Sequence, residues 1–141
     1  MTTVEMIEQM NAHAPPALKV LGGKVVSFDE ETGIVEMHYD VNETLCHSGD
    51  IVQGGFLAGM LDAAMAHAVF AVLKEFVIVA TLEIKVSYLD IARPGTIVGR
   101  GWITRMGKTI SFLEGELQNS EGLVLARASS TARIIHRRPG K

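Results

Sequence analysis

The sequence predicts an α+β domain in which a curved antiparallel sheet of five or six strands wraps around one long central helix. Residues 56–74 are apolar on nearly every face of a helix, so the fold must cover that helix on all sides. Four segments of alternating apolar and polar residues follow the helix, and two precede it. A helix of about 18 residues measures about 27 Å, and five or six strands spaced about 4.8 Å apart span a similar width.

The elements before the long helix follow from local signals. Residues 3–12 carry apolar side chains on one side, which predicts a weak amphipathic helix, and a Pro-Pro pair soon afterwards ends it. Residues 1–19 are therefore expected to form an N-terminal helix and loop. Residues 24–28 and 34–41 predict a hairpin whose turn is completed by Gly33. A loop then leads to the long helix.

The segments after the long helix read as consecutive strands separated by turns. Alternation in the first of them predicts that Leu82, Ile84, Val86 and Tyr88 face inward. The last residues, 136–141, are basic and are expected to form a flexible tail, so that residues 1–141 make a single domain. The strands are expected at residues 76–89, 96–105, 109–118 and 123–135.

Composition excludes several classes of protein. The net charge of −3 argues against a nucleic-acid partner, and 48% hydrophobic residues exclude a disordered chain. A single cysteine, Cys46, excludes an internal disulfide framework, and the histidines lack the spacing of metal ligands. The charge is uneven, because residues 1–92 carry −9 and residues 93–141 carry +6. The basic third predicts either a local anion-binding surface or an ordinary solvated face.

Two segments bear on location. The N-terminus has neither a basic start nor an apolar stretch, so no secretory signal and a cytoplasmic location are expected. Residues 51–73 are long and apolar enough to resemble a membrane span. Asp62 lies near the middle of this segment, where a carboxylate in lipid costs roughly 2.5–3.5 kcal/mol. The segment is therefore interpreted as a buried helix and not as a membrane anchor.

Asp62 is the most informative single residue. Large apolar neighbours surround it in the sequence, and an ionised carboxylate among them loses its hydration. At helical spacing it shares a face with Gly55, Ala58 and Ala66, whose small side chains let a ligand or another backbone approach closely. Two interpretations carry equal weight at this point: a reactive carboxylate in a cleft, or a carboxylate that pairs with a partner chain at an interface.

A glycine pair precedes this carboxylate at the start of the helix. The first backbone N–H groups of a helix have no internal partner and carry the positive end of its dipole. Gly54 and Gly55 would let a carbonyl oxygen or an anion approach those groups. Together with Asp62, two turns further along the same face, they predict a site that polarises a carbonyl and presents a carboxylate to it.

These residues resemble a known motif. The run Val52-Gln-Gly-Gly-Phe-Leu-Ala-Gly-Met-Leu-Asp62 is similar to the His-Gly-Gly, six residues, Asp motif at the helix start of hotdog-fold acyl-CoA thioesterases. The group it resembles is the phenylacetate-degradation (PaaI-like) one within the 4-hydroxybenzoyl-CoA thioesterase superfamily. The order of elements agrees over residues 20–135. The stretches from Ser87 to Gly95 and from Met106 to Thr109 fit the same family.

The resemblance implies catalytic roles for five residues. Asp62 would be the nucleophile or general base, and the Gly55 amide would polarise the thioester carbonyl. Thr81 falls where relatives carry a Ser or Thr that positions water. Gln53 replaces the family's histidine and can hydrogen-bond but carries no charge. His47 falls where the family often has an asparagine, and it can act as a donor or an acceptor.

The resemblance also implies partners. Coenzyme A would enter as part of the substrate, with no separate cofactor, no metal ion, no membrane and no nucleic acid. Such domains pair as homodimers or homotetramers, with each active site built from two chains, which would explain an uncovered helix face around Asp62. The residues implied in coenzyme A binding are Gly54, Tyr88, Arg93, Arg105, Gly107, Lys108, Thr109 and Arg133.

Two other functions are compatible with the same sequence. A hotdog hydratase or dehydratase would pair His47 with Asp62 on an enoyl-CoA, although the usual His-Phe-Pro context is replaced by Cys46-His-Ser-Gly49. A non-catalytic acyl-CoA or lipid-binding protein would keep the fold without the chemistry, and Gln53 in place of histidine motivates that alternative.

His67 points to a different helix face from Asp62 and is interpreted as a core residue.

Overall fold

A six-stranded antiparallel sheet packs around one long helix in the computed structural model, which describes residues 1–137. The predicted fold class is therefore confirmed, and part of the expected tail, residues 138–141, lies outside the described residues. The sheet has the strand order β1-β2-β6-β7-β8-β5. Its strands are β1 (Gly23–Asp29), β2 (Ile34–Val41), β5 (Ile78–Tyr88), β6 (Gly95–Met106), β7 (Ile110–Asn119) and β8 (Val124–Ile135).

The helices and a small second hairpin complete the described chain. Helix α1 spans Thr3–Ala12, as predicted, and begins with a capping box between Thr2 and Glu5. The expected loop after it contains a short helix, α2 (Pro16–Val20), because Pro16 fits the first turn of a helix. The loop before the long helix is also more ordered than predicted. It contains a 3₁₀ turn (Glu43–Leu45) and a hairpin of β3 (Cys46–Ser48) and β4 (Ile51–Val52).

Helix α3 (Gly54–Leu73) is the long central helix, and it packs against β2, β5, β6, β7 and β8. The helix is long and apolar enough to cross a membrane, but half of its most apolar 18-residue stretch is buried inside the fold, as expected for a core helix. The helix begins two residues earlier than predicted. Glycines are unfavourable inside helices, whereas Gly54 and Gly55 occupy the first turn, where the chain accommodates the Tyr88 ring.

Glycines of the sheet set how closely α3 approaches it. A Cβ at Gly101 on β6 would collide with the backbone of Ala64, so only glycine permits this contact. A Cβ at Gly115 on β7 would lie 3.1 Å from Met65. The buried side of α3 therefore rests directly on the sheet, and its other side carries Asp62.

The two edges of the sheet differ. At the β1 edge, the Asn11 side chain donates to the Val25 carbonyl at 2.9 Å and accepts from the Val25 N–H at 2.8 Å. This amide occupies the position that another strand would need, which blocks further pairing. The opposite edge is β5, an 11-residue strand for which residues 1–137 supply no outer neighbour. Exposed apolar side chains, Ile78 and Leu82 among them, lie along β5.

The inward pattern predicted for β5 is wrong at Leu82. A bulge between Thr81 and Glu83 leaves Leu82 without a cross-strand partner on β8, and its side chain is 60% exposed. An extra residue in a strand reverses the alternation on one side of the bulge. Thr81, paired with Ala132, consequently lies on the inner face, toward α3.

Candidate functional site

Asp62 and Thr81 form the first part of the candidate site. The Thr81 hydroxyl donates to Asp62 Oδ1 at 2.8 Å, and the Asp62 side chain is half-buried on α3. Within residues 1–137 Thr81 is the one hydrogen-bond donor to this carboxylate. One carboxylate oxygen is thus held in place and the other is available to a water molecule or a substrate carbon, which is the arrangement a general base or a nucleophile needs.

The negative charge of Asp62 also affects Tyr39, a tyrosine that is buried between α3 and the sheet. Tyr39 is completely buried, and its hydroxyl donates to the Met60 carbonyl of α3 at 2.7 Å. Burial is the larger cause that raises the pKa of Tyr39, and the negative charge of Asp62 raises it further. Tyr39 therefore stays a neutral hydrogen-bond donor that anchors the turn of α3 before Asp62.

The first amides of α3 form the second part of the site. Phe56 and Leu57 both donate their N–H groups to the Gln53 carbonyl, at 3.1 and 3.3 Å. Across the described residues, the N–H groups of Gly54 and Gly55 have no acceptor. Gly55 is exposed, and a Cβ placed there would meet no atom within 4 Å. The Gly55 amide is consequently open to an incoming oxygen at the positive end of the helix dipole.

Tyr88, at the end of β5, contacts this second part directly. Its hydroxyl donates to the Gly54 carbonyl at 2.6 Å. A Cβ on Gly54 would lie 3.1–3.3 Å from three atoms of the phenol, so the ring lies against the glycine. The sequence predicts that Tyr88 faces inward on its strand, and the resemblance implies a contact with coenzyme A. The contact with Gly54 has no signal in the sequence, because it joins residues 34 positions apart.

The two parts lie apart within one chain. Seven residues of helix separate Gly55 from Asp62, which is about 10 Å along the axis. The strand residues that contact the two parts, Tyr88 and Thr81, are seven positions apart on β5, or about 23 Å. A carbonyl held by the amide at about 3 Å and attacked by the carboxylate at about 3 Å would require the two groups to be within about 6 Å.

The other two predicted catalytic residues lie near the helix start. Gln53 is the N-terminal cap residue of α3, and its exposed side chain makes no capping hydrogen bond. Its backbone N–H donates to the Leu45 carbonyl at 2.9 Å. His47 is exposed on β3, with Nδ1 2.8 Å from the Ser48 hydroxyl. Both residues therefore belong to the loop and helix start that carry Gly54, rather than to the turn of Asp62.

The residues predicted to bind coenzyme A separate into groups. Arg105, Gly107, Lys108 and Thr109 lie at the end of β6 and in the turn to β7, where Gly107 N–H donates to the Ile110 carbonyl at 3.0 Å. Arg133 on β8 joins them, because it pairs with Ile110 on one side and Ala80, next to Thr81, on the other. In the part of the chain that the structure describes, these three cationic side chains are exposed and make no salt bridge.

Arg93 does not join that group, which corrects the expectation of one basic cluster. It precedes β6, whereas Arg105 lies near its other end, and a 12-residue strand is more than about 30 Å long. Arg93 is also paired with Asp50 at 2.6 Å.

Two further buried polar residues lie outside the predicted site. The structure confirms that His67 is a core residue: it is buried, Nδ1 lies 2.7 Å from the Ala63 carbonyl, and burial lowers its pKa. Ser130, on the inner face of β8, is 94% buried and was not singled out from the sequence. Its hydroxyl has no hydrogen-bond partner among residues 1–137. In the same range, no group of three His, Cys, Asp or Glu side chains could hold a metal ion.

Comparison with known proteins identifies the class. The chain belongs to the thioesterase superfamily, which it matches over residues 49–126, more than half of its length. It is therefore an enzyme of the thioester-hydrolase class. The match includes the helix start, Asp62 and Thr81 and ends within β8.

Individual relatives agree with this assignment. A Ralstonia eutropha protein described as a thioesterase related to phenylacetic acid degradation is 30% identical, with a TM-score of 0.79 over 91% of this chain and 98% of its own. A Saccharolobus solfataricus protein named as an esterase is 24% identical over 94% of this chain and 92% of its own. A Streptococcus mutans protein solved with bound acetyl-CoA has the same fold, at 20% identity and a TM-score of 0.71, over 82% of this chain and 90% of its own.

Proposed function

We propose that this protein hydrolyses an acyl- or aryl-CoA thioester to a carboxylic acid and free coenzyme A. The observation that carries the proposal is the Asp62 carboxylate, half-buried on an apolar helix, held on one oxygen by Thr81 and open on the other. Membership of the thioesterase superfamily supports hydrolysis as the reaction. The Streptococcus mutans relative with bound acetyl-CoA supports coenzyme A as the carrier of the acyl group.

The proposed reaction assigns one role to each half of the site. The Gly55 N–H donates to the thioester oxygen and stabilises the negative charge that develops there. Asp62 removes a proton from a water molecule as the water oxygen bonds to the carbonyl carbon. The carbon–sulfur bond then breaks, and the coenzyme A thiolate takes the proton from the Asp62 carboxyl. In the alternative route, the Asp62 carboxylate itself attacks the carbonyl carbon, the carbon–sulfur bond breaks and the coenzyme A thiolate leaves. The mixed anhydride formed in this way is hydrolysed by water, which releases the carboxylic acid and restores the Asp62 carboxylate.

Basic residues beside Thr81 suit the phosphates of coenzyme A. Arg105, Lys108 and Arg133 are exposed and unpaired within residues 1–137, and Arg133 lies on β8 next to the strand position of Thr81. Cationic side chains of this kind bind phosphate oxygens by charge-assisted hydrogen bonds. Gly107 and Thr109 shape the turn that presents Lys108. We propose that this turn, not Arg93, contacts the phosphates.

We propose that two copies of the chain complete each active site. The separation of about 10 Å between Gly55 and Asp62 on one helix is too long for both to act directly on one carbonyl. The open edge of β5, 11 residues long, allows antiparallel pairing with a second β5. Pairing centred on Lys85 would place Tyr88 of each copy opposite the Thr81–Leu82 bulge of the other. The amide of one copy would then meet the carboxylate of the next.

The test of the proposed function is thiol release from a panel of acyl-CoAs, read with a thiol reagent. Asp62→Asn keeps the shape and the Thr81 contact but cannot accept a proton, so turnover should fall at least about 100-fold. Coenzyme A binding, measured by calorimetry, should remain. Full turnover by Asp62→Asn would show that another residue performs the chemistry.

The same panel separates the two alternatives. A binding protein without catalytic activity would bind acyl-CoA in calorimetry, and neither the wild type nor Asp62→Asn would release thiol. A hydratase would instead consume an enoyl-CoA with loss of its absorbance and no thiol release, and His47→Ala would stop it. His47 lies near the start of α3, with its Nδ1 within hydrogen-bond distance of the Ser48 hydroxyl. This position does not favour hydration over hydrolysis.

A further inference from the structure

We propose that Tyr88 is a positioning residue for the amide that polarises the substrate carbonyl. This inference rests on the proposed function, because it concerns the same Gly55 N–H. It assigns Tyr88 a task within its own chain, in place of the contact with coenzyme A that the sequence resemblance implies.

The geometry that carries the proposal lies in a single peptide group. The carbonyl of Gly54 and the N–H of Gly55 belong to the same planar, trans peptide unit, in which the two bonds point in opposite directions. Tyr88 donates to that carbonyl at 2.6 Å. Fixing the direction of the carbonyl therefore fixes the direction of the N–H, which projects away from the phenol to the open side of the helix start.

The hydrogen bond also strengthens the donor. A hydrogen bond accepted by an amide oxygen draws electron density through the peptide group, and chains of hydrogen bonds polarise one another. The Gly55 N–H therefore becomes a better donor to a developing oxyanion when Tyr88 is in place. The benefit is largest in the transition state, where the thioester oxygen carries most charge.

The local backbone shows why the Gly54–Gly55 peptide group needs a hydrogen bond from Tyr88 to hold its orientation. Two adjacent glycines at a helix start have more conformational freedom than any other pair. Neither of their N–H groups has an acceptor among residues 1–137, so no internal hydrogen bond of the helix orients them from that side. The phenol lies against Gly54 so closely that a Cβ would come within 3.1 Å of it. Tyr88 is also 51% exposed, so its ring contributes little to the core.

The test compares Tyr88→Phe with the wild type on two substrates. One is a full acyl-CoA, and the other is the same acyl group on N-acetylcysteamine, which lacks the nucleotide and most of the pantetheine. Tyr88→Phe keeps the ring and removes the hydroxyl. Loss of one hydrogen bond predicts a kcat about 3- to 10-fold lower on both substrates, with KM changed less than about 2-fold.

A spectroscopic readout accompanies the kinetics. In ¹H–¹⁵N spectra Tyr88→Phe should move the Gly55 amide proton upfield, because its peptide group loses polarisation. Tyr39→Phe is the matched control, since it also removes a tyrosine hydroxyl that donates to a carbonyl of α3, at Met60. That control should leave the Gly55 resonance in place, and the free protein suffices for both spectra.

The other outcomes separate a failure of this inference from a failure of the proposed function. Unchanged kcat and an unchanged Gly55 resonance would show that the phenol does not control the amide. A KM increase on acyl-CoA that disappears on the truncated substrate would make Tyr88 a coenzyme A contact instead. A wild type that hydrolyses neither substrate would refute the proposed function, while the spectra would still decide whether Tyr88 sets the Gly55 amide.

Discussion

Replacing Gly55 by proline tests the predicted donor with little steric disturbance. Proline lacks the N–H, and a Cβ at this position would meet no atom within 4 Å outside its chain neighbours and the backbone of its own helix. Proline is tolerated in the first turn of a helix, and Gly54 before it has no Cβ to clash with the ring. Loss of one oxyanion donor should lower kcat about 100- to 1,000-fold. Gly55→Ala keeps the N–H and should stay within about 3-fold of the wild type.

Mixing this variant with Asp62→Asn then asks which chains supply the two groups. If the amide and the carboxylate of one site come from different copies, a mixed dimer holds one site with both defects and one intact site. Random assortment makes half of the dimers mixed, so about a quarter of the wild-type activity returns. If both groups come from one chain, every site in the mixture keeps a defect.

The assay is thiol release after the two inactive variants are unfolded together, refolded and compared with each variant alone. Circular dichroism and size-exclusion chromatography establish that all three samples fold and share one oligomeric state. Activity of the mixture no higher than the sum of its components would refute the two-chain site. Activity of Gly55→Pro equal to that of Gly55→Ala would refute the role of the amide.

Two predictions concern buried polar groups. Ser130→Ala should raise the free energy of unfolding in urea by about 1 kcal/mol, because it removes a buried hydroxyl that has no hydrogen-bond partner among residues 1–137. A loss of stability would show that the hydroxyl does have a partner. Burial lowers the pKa of His67, so protonation favours the unfolded chain. The contribution of neutral His67 to the free energy of unfolding should therefore be fully present above about pH 6.5 and should decrease as the pH falls below that value. His67→Gln should make this decrease smaller. An equal decrease in both proteins would exclude His67 as its cause.

The sequence predicts the architecture well because two strong patterns agree. A helix that is apolar on all faces must be covered, and an antiparallel sheet of consecutive alternating strands can wrap around it. The bounds of α1 and β2 also match the predicted ones. Asp62 is also evident from the sequence, since a carboxylate among large apolar residues is unusual in a core helix. Thr81, which the resemblance implied, does lie 2.8 Å from Asp62.

The errors arise where tertiary contacts override local pattern. The bulge at Leu82 was missed because residues 82–88 alternate between apolar and polar, and this pattern places Leu82 on the same face as Ile84. Helix α3 starts two residues earlier than predicted, at Gly54, where Tyr88 packs against the glycine in a contact between distant residues. The resemblance implies coenzyme A contacts for both Arg93 and Arg105, whereas Arg93 precedes β6 and Arg105 lies near its far end.

Strand β5 connects the remaining observations. One of its ends holds Tyr88 at the helix start, the other holds Thr81 at Asp62, and its outer edge has no neighbour within residues 1–137. Asn11 meanwhile occupies the other edge of the sheet, so β5 is the edge that remains for the proposed pairing of copies. A two-fold axis beside Lys85 would place Tyr88 of one copy opposite the Thr81–Leu82 bulge of the other. The same strand that keeps the amide and the carboxylate apart in one chain can thus bring them together between two.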